Sequence, residues 1–389
     1  MALMDKIYLE KAEIKKIKIA HKNFIFIFNY LLAKQVLINK QDLFAKNEII
    51  FNRIKPVTGN NGLVQMQGDI SKEYRNCARP IFTSDTLEQN KAIISSIASD
   101  FVDKININQP LDVSSFITQI VLKTAFRMFL GLNIENVGFL GTKFLRLNEL
   151  CGQRMMNFFC LPLWCPTANN LEIINLRNSI RQCIAEQILL TNTEEKNVVT
   201  LFKHSDYLID QCMTFLFAGH ETTASSITFT LLLLANYPHY QEQVYQGNDE
   251  FIKAIYKESL RLYPPAYMLV REVKHKNLFN GLELNPKDQV IIGVKQIHQR
   301  EQYFYRPQEF IPERFLDKNK HEEFLPFGMG AKSCLGERLA YVEAVIILKI
   351  ICQKFLIKNY DKPIECSQLI TLHPKREQVV WLEKRLNMP

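Results

Sequence analysis

Phe327-Gly328-Met329-Gly330-Ala331-Lys332-Ser333-Cys334-Leu335-Gly336 is the stretch on which the reading of this 389-residue chain turns. It reads as a loop that presents one thiolate. Its three glycines admit positive φ angles and let the backbone come close to something flat and bulky. A largely apolar, helix-compatible run starts just after the cysteine, with Leu339, Ala340, Val342, Ala344, Val345, Ile346 and Ile347. Cys334 therefore stands near a helix N-terminus, where unpaired N–H groups and the helix dipole favour an anionic sulfur. Lys332 adds a positive charge two residues upstream. A soft thiolate held this way suits the axial position of a metal. The plainer alternative, a glycine-rich turn around a structural cysteine, leaves most of the decapeptide without a reason.

A second motif lies in a long helical stretch from about Tyr207 to Tyr237: Ala218-Gly219-His220-Glu221-Thr222-Thr223. Glycine in a helix interior costs about 1 kcal/mol against alanine, so something is expected to come close to the backbone at Gly219. Gly219 and Thr222 are three apart and share a face. Thr222 can bond back to a helix carbonyl, and Glu221 supplies a carboxylate. A third motif is Glu258-Ser259-Leu260-Arg261, whose charged ends face one another on a helix, followed by Leu262-Tyr263-Pro264-Pro265 and, later, Pro312-Glu313-Arg314-Phe315. A fourth is the segment Gly68 to Phe82, which carries Arg75.

In this order, the four motifs resemble those of the cytochrome P-450 family of haem-thiolate monooxygenases. The family's cysteine loop runs Phe-x-x-Gly-x-(Arg or similar)-x-Cys-x-Gly, and Phe327, Gly330, Lys332, Cys334 and Gly336 fill it. Lys332 stands where arginine is commoner; it keeps the charge and loses the bidentate fork. The resemblance covers about Phe24 to Leu382. It implies haem b as cofactor with Cys334 as the iron ligand, which pushes electron density toward O–O cleavage. It also implies propionate contacts from Arg75, Arg271 and Lys332, and Thr222 with Glu221 as the alcohol and acid that deliver protons beside the dioxygen groove. Ser71 replaces the tryptophan or histidine that relatives place four residues before the Arg75 position. Glu258, Arg261 and Arg314 are expected to form a buried ionic cluster that locks the loop before the cysteine. His298 fits a surface-loop or supporting role better than iron ligation.

Composition agrees. A 47% hydrophobic content is ample for a large core, and residues 1–389 are expected to form a single mainly helical domain with a small sheet region, an α+β fold of the P-450 type, somewhat shortened. Nine scattered cysteines without a Cys-x-x-Cys point to reduced thiols. The net charge of +8 is spread along the chain, without the basic-aromatic pattern of nucleic-acid binding, and suits an acidic protein partner. Residues 1–20 are charged and mixed, and Phe24 to Phe28 is too short to span a bilayer. A cytoplasmic protein without a transmembrane anchor is expected, with peripheral membrane contact left open.

Phe24 to Phe28 reads as a buried strand, and Asn29 as the cap of a helix burying Leu31, Leu32, Val36, Leu37 and Ile38. Helical periodicity runs through 88–131 and 138–160. It resumes from about Leu171 to Leu190, after a break at Leu161 to Thr167. Thr191 to Asn197 reads as a polar connection. Leu369 to Leu372 and Val379 to Leu382 read as a hairpin around Pro374.

The function expected is insertion of one oxygen atom from dioxygen into a small apolar organic substrate. The chain has no room for a flavin or ferredoxin domain, so the electron donor is expected to be a separate ferredoxin- or flavoprotein-type protein. A peroxide-using haem-thiolate enzyme and a non-catalytic haem-binding sensor are the alternatives. The acid–alcohol pair argues against both.

Overall fold

The alternation Ile25-Phe26-Ile27-Phe28 divides two layers. All four residues are buried; Ile25 and Ile27 join one apolar cluster, and Phe26 and Phe28 join another with Ile7. This is the two-sided burial expected of a strand with a partner on each edge. The computed structural model describes residues 2–9, 12–19, 22–133, 137–157, 160–190, 195–317, 321–358, 363–375 and 378–385. The chain divides into two compact units, Met1–Phe51 with Lys257–Cys334, and Asn52–Tyr256 with Leu335–Pro389.

The first unit is built on a five-stranded sheet in the order Ile14–Ile19, Lys22–Ile27, Gln289–Gly293, Met268–Val273, Phe44–Ala45. Lys22–Ile27 and Gln289–Gly293 run parallel, with Ile25 opposite Val290; the other neighbours are antiparallel. Asn29 caps the next helix, Tyr30–Lys34, accepting from the Leu32 N–H at 3.0 Å. The chain then widens into a π-turn, Gln35–Asn39. Two expected core residues face outward, Ile38 within that π-turn and Leu31 in the regular helix before it. Leu31 is 62% exposed and Ile38 is 38% exposed, whereas Leu32, Val36 and Leu37 are buried as expected.

The second unit is a stack of helices around Leu208–Asn236, which packs along Val113–Leu130. From Asp210 to Ala235 this long helix is buried all round except at Ala218, Gly219, Glu221 and Thr222. Several of its buried hydroxyls turn back on their own helix. Thr228 donates to the Ala224 carbonyl at 2.7 Å and Thr230 to the Ser226 carbonyl at 2.8 Å, which removes the cost of burying them. The expected helical run 88–131 is two helices, Ser84–Asp103 and Val113–Leu130, parted by a segment that contains Pro110 and the short strand Leu111–Asp112. Val137–Met156 and Ala168–Leu190 follow. The first part of the polar connection, 191–194, lies outside the described residues.

The expected hairpin around Pro374 is not formed. Leu372–Pro374 pairs with Cys366–Gln368, and Val379–Lys384 pairs with Phe355–Lys358 and Leu111–Asp112. Burial decides the pairing: Val380 and Leu382 point inward on the face that Phe355 and Ile357 also bury.

The expected ionic cluster is present in the first unit. Glu258 and Arg261 are completely buried and joined by two bonds of 2.8 Å. Arg314 Nε adds a contact to Glu258 at 3.1 Å, and the Ile311 N–H donates to the same carboxylate at 2.9 Å. Arg261 spends its remaining donors on the carbonyls of His298, Pro307 and Glu309. Removing one member of such a cluster strands the others, at roughly 3–5 kcal/mol. Glu258→Ala is therefore expected to yield little soluble protein. Full expression with an unchanged melting temperature would contradict the role given to the cluster.

Candidate functional site

In the first unit the cysteine loop is held open by two glycines in the left-handed region, Gly328 at φ 68° and Gly330 at φ 74°. A Cβ on Gly330 would lie 2.6 Å from the Leu37 carbonyl oxygen, so no other residue fits that turn. The Cys334 N–H donates to the Phe327 carbonyl at 2.9 Å, and the Ser333 N–H to the Gly330 carbonyl at 3.0 Å. Two residues on, Gly336 is the N-cap of Glu337–Lys354. Of the nine free cysteines, Cys334 alone is exposed. Cys151 and Cys352 are buried, and burial pushes their thiols up to about 12.

The loop is tied to the ionic cluster through His298, which is completely buried and so takes the supporting role rather than the surface-loop one. The Leu325 N–H donates to His298 Nε2 at 3.0 Å, which leaves Nδ1 as the donor to the Arg261 carbonyl at 3.3 Å. Burial and the Arg261 charge push its pKa down to about 3, so the ring is neutral. Leu325 in turn accepts the Gly328 N–H at 3.1 Å. Both ring nitrogens are occupied, and His298 supports the loop rather than binding a metal.

Arg271 lies on the strand Met268–Val273. It is half-buried, and its Nη1 donates to the neighbouring Val270 carbonyl at 2.9 Å. Among the described residues no carboxylate pairs with it, and desolvation pulls its pKa down to about 10. Such a cation suits an anionic partner. Lys332 is exposed on the cysteine loop and Phe327 is half-buried.

In the second unit Thr222 Oγ1 donates to the Ala218 carbonyl at 2.8 Å, as the spacing predicts. This lies within the one break in the long helix's burial. What approaches Gly219 is the Phe129 ring, 2.4 Å from where a Cβ would stand. Glu221 is held at both oxygens: Asn148 Nδ2 donates to Oε2 at 2.5 Å and Thr371 Oγ1 donates to Oε1 at 3.0 Å. Neither partner was recognised in the sequence, because each is remote in the chain from Glu221. Arg75 is half-buried on the Gly68–Ala78 helix.

The sequence profile of the cytochrome P450 family matches residues 3–381. The chain belongs to the cytochrome P450 family. It is 28% identical to a cytokinin hydroxylase of Arabidopsis thaliana over 88% of this chain and 75% of that protein. It is 24% identical to cyclooctat-9-en-7-ol 5-monooxygenase of Streptomyces melanosporofaciens, over 84% and 78%. The crystal structure of CYP175A1 from Thermus thermophillus superposes with a TM-score of 0.85 at 21% identity, covering 98% of this chain and 94% of that one. The mainly helical fold with small sheets is thus the P450 fold, and the chain is a P450 monooxygenase whose cofactor is haem b.

The residues present in the first unit fit that cofactor. The first unit offers an exposed soft sulfur on a loop kept open by left-handed glycines, together with a buried cation that lacks a counter-ion among the described residues. Arg271→Met tests the second feature. Losing a charge-assisted bond of about 1.5–3 kcal/mol is expected to weaken haem retention roughly ten- to hundred-fold. The haem-free melting temperature should hold or rise, because an uncompensated buried charge is gone. Unchanged haem retention with a less stable apoprotein would assign Arg271 to folding instead.

Proposed function

We propose that this P450 inserts one oxygen atom from dioxygen into a small apolar organic substrate. Its electrons come from a separate ferredoxin- or flavoprotein-type donor. In this reading residues 1–389 act as one haem-holding domain in the cytoplasm. Cys334 ligates the iron, Arg75, Arg271 and Lys332 take the propionates, Phe327 packs beside the ring, and Gly219, against which Phe129 packs, belongs to the helix turn that lines the haem. The haem supplies the activation of dioxygen. Thr222 orders water and passes protons, and Glu221 is the acid that renews them.

The observation that carries this reading is the open turn of the long helix. There a hydroxyl is bonded back to Ala218 at 2.8 Å beside a carboxylate held at both oxygens. A helix otherwise buried from Asp210 to Ala235 leaves bare the residues that a proton path requires. A peroxide-using enzyme or a gas sensor has no use for that path.

Thr222→Ala is expected to leave the haem spectrum and substrate binding nearly unchanged and to uncouple the reaction. A positioned acid–base group is commonly worth about 10²–10⁴-fold, so product per electron should fall sharply while hydrogen peroxide rises. Turnover driven by added peroxide should suffer less. Product and peroxide are measured per reductant consumed, with a surrogate reductase. Unchanged coupling would make Thr222 an ordinary helix residue and favour the peroxide-using reading.

A further inference from the structure

Glu221 is backed by polar atoms that a simple acid does not need. His220 is completely buried, and its Nδ1 lies 2.7 Å from the Leu216 carbonyl oxygen. A carbonyl only accepts, so Nδ1 carries the hydrogen and Nε2 is left with a lone pair. Among the described residues that Nε2 has no hydrogen-bond partner, and Glu221 Oε2 lies 4.0 Å from it. Asn148, also buried, donates Nδ2–H to the same Oε2, while its own Oδ1 has no partner. Two buried acceptors without a donor thus stand beside one carboxylate. Buried acceptors are seldom left so, and one added proton would satisfy them.

We propose that His220 Nε2 and Glu221 Oε2 hold one proton in common, with the Asn148 amide turning to follow it, and that this is the proton Glu221 gives up at the open turn. The proposal rests on Glu221 being the acid of the proposed function. With the proton aboard, the carboxyl O–H donates to Nε2 after a small side-chain rotation, or to Asn148 Oδ1 once the amide has turned. Amide oxygen and nitrogen are close enough in shape for either orientation to fit. When Glu221 gives the proton up, the O–H bond breaks and its electron pair stays on the carboxylate. The anion is then held by Asn148 Nδ2–H and Thr371 O–H, the arrangement observed. A proton from solvent water restores the pair.

The surroundings suit such a store. Phe144 covers the imidazole edge-on at 5.5 Å, and Glu221 is the ionisable group facing it among the described residues. Burial lowers the imidazole's pKa, and the Glu221 charge beside it acts the other way. His220 and Asn148 act through Glu221 and are positioning residues.

The test is the pH profile of product formed per electron in the holoenzyme, which should fall as the pH rises through loss of the shared proton. His220→Phe removes an acceptor for the proton and should move that limb to lower pH by about one unit. Asn148→Leu removes a donor to the anion, the stronger of its two possible bonds, and should move the limb to higher pH by about one unit. Glu221→Gln should abolish the limb and the coupling together. A limb that stays in place in His220→Phe, or that moves the same way in both variants, overturns the store and leaves Glu221 as the acid. Unchanged coupling in Glu221→Gln overturns the acid and the store with it. If the phenylalanine variant does not fold, the upward shift in Asn148→Leu decides alone. A reading without turnover comes from imidazole ¹⁵N shifts in the diamagnetic ferrous carbon monoxide complex. One histidine should keep Nδ1 protonated throughout, with an Nε2 signal that moves with pH in wild type and not in Glu221→Gln. A bare Nδ1 on His220 would contradict the proposal.

Discussion

The structure around the cysteine depends on one buried carboxylate. Glu258 has no access to water, and its charge is met by Arg261, Arg314 and the Ile311 N–H. A buried ion is tolerable only when its hydrogen bonds are complete, and completing them fixes everything nearby. Arg261 has three donors left for carbonyls at His298, Pro307 and Glu309. His298, neutral because it is buried beside that guanidinium, links the Arg261 carbonyl to the Leu325 N–H. From Leu325 the chain turns through Gly328 and Gly330 to Cys334. The position of the exposed sulfur is therefore inherited from a charge cluster far earlier in the chain. The net worth of such a cluster against an apolar one is small; what it supplies is a single arrangement of the loop.

The second unit solves a related problem with neutral groups. The long helix is buried on all sides over most of its length and still carries several serines and threonines, each satisfied by its own backbone or by a neighbour such as Tyr256. The Thr222 hydroxyl makes the same backward bond, but at the turn where burial lapses. Local helix chemistry thus gives a hydroxyl of fixed direction without any special fold.

The cysteine loop, the Glu-x-x-Arg pair and the Gly219–Thr222 register were legible in the sequence because each is short and local. The backward bond of Thr222 and the capping bond of Asn29 follow from spacing alone. What was illegible is non-local. The pairing of Val379–Lys384 depends on strands at Phe355–Lys358 and Leu111–Asp112, and no periodicity in 369–382 reveals that choice. Ile38 faces outward within a π-turn that breaks the helical period, and Leu31 faces outward in the regular helix before it. Gly219 announced a close approach, but only packing names Phe129 as the group that makes it. Asn148 and Thr371 meet Glu221 from 73 and 150 residues away.

The central claim, that Cys334 is the haem ligand, is tested most directly by the spectrum of the freshly purified, reduced protein under carbon monoxide. A thiolate axial ligand donates more electron density to the iron than an imidazole does and moves the main absorption band to markedly longer wavelength. That long-wavelength band is the predicted result; it should disappear in Cys334→His and persist in Cys352→Ala. A band at the shorter wavelength typical of a nitrogen ligand in the wild-type protein, or a long-wavelength band surviving in Cys334→His, would contradict the account.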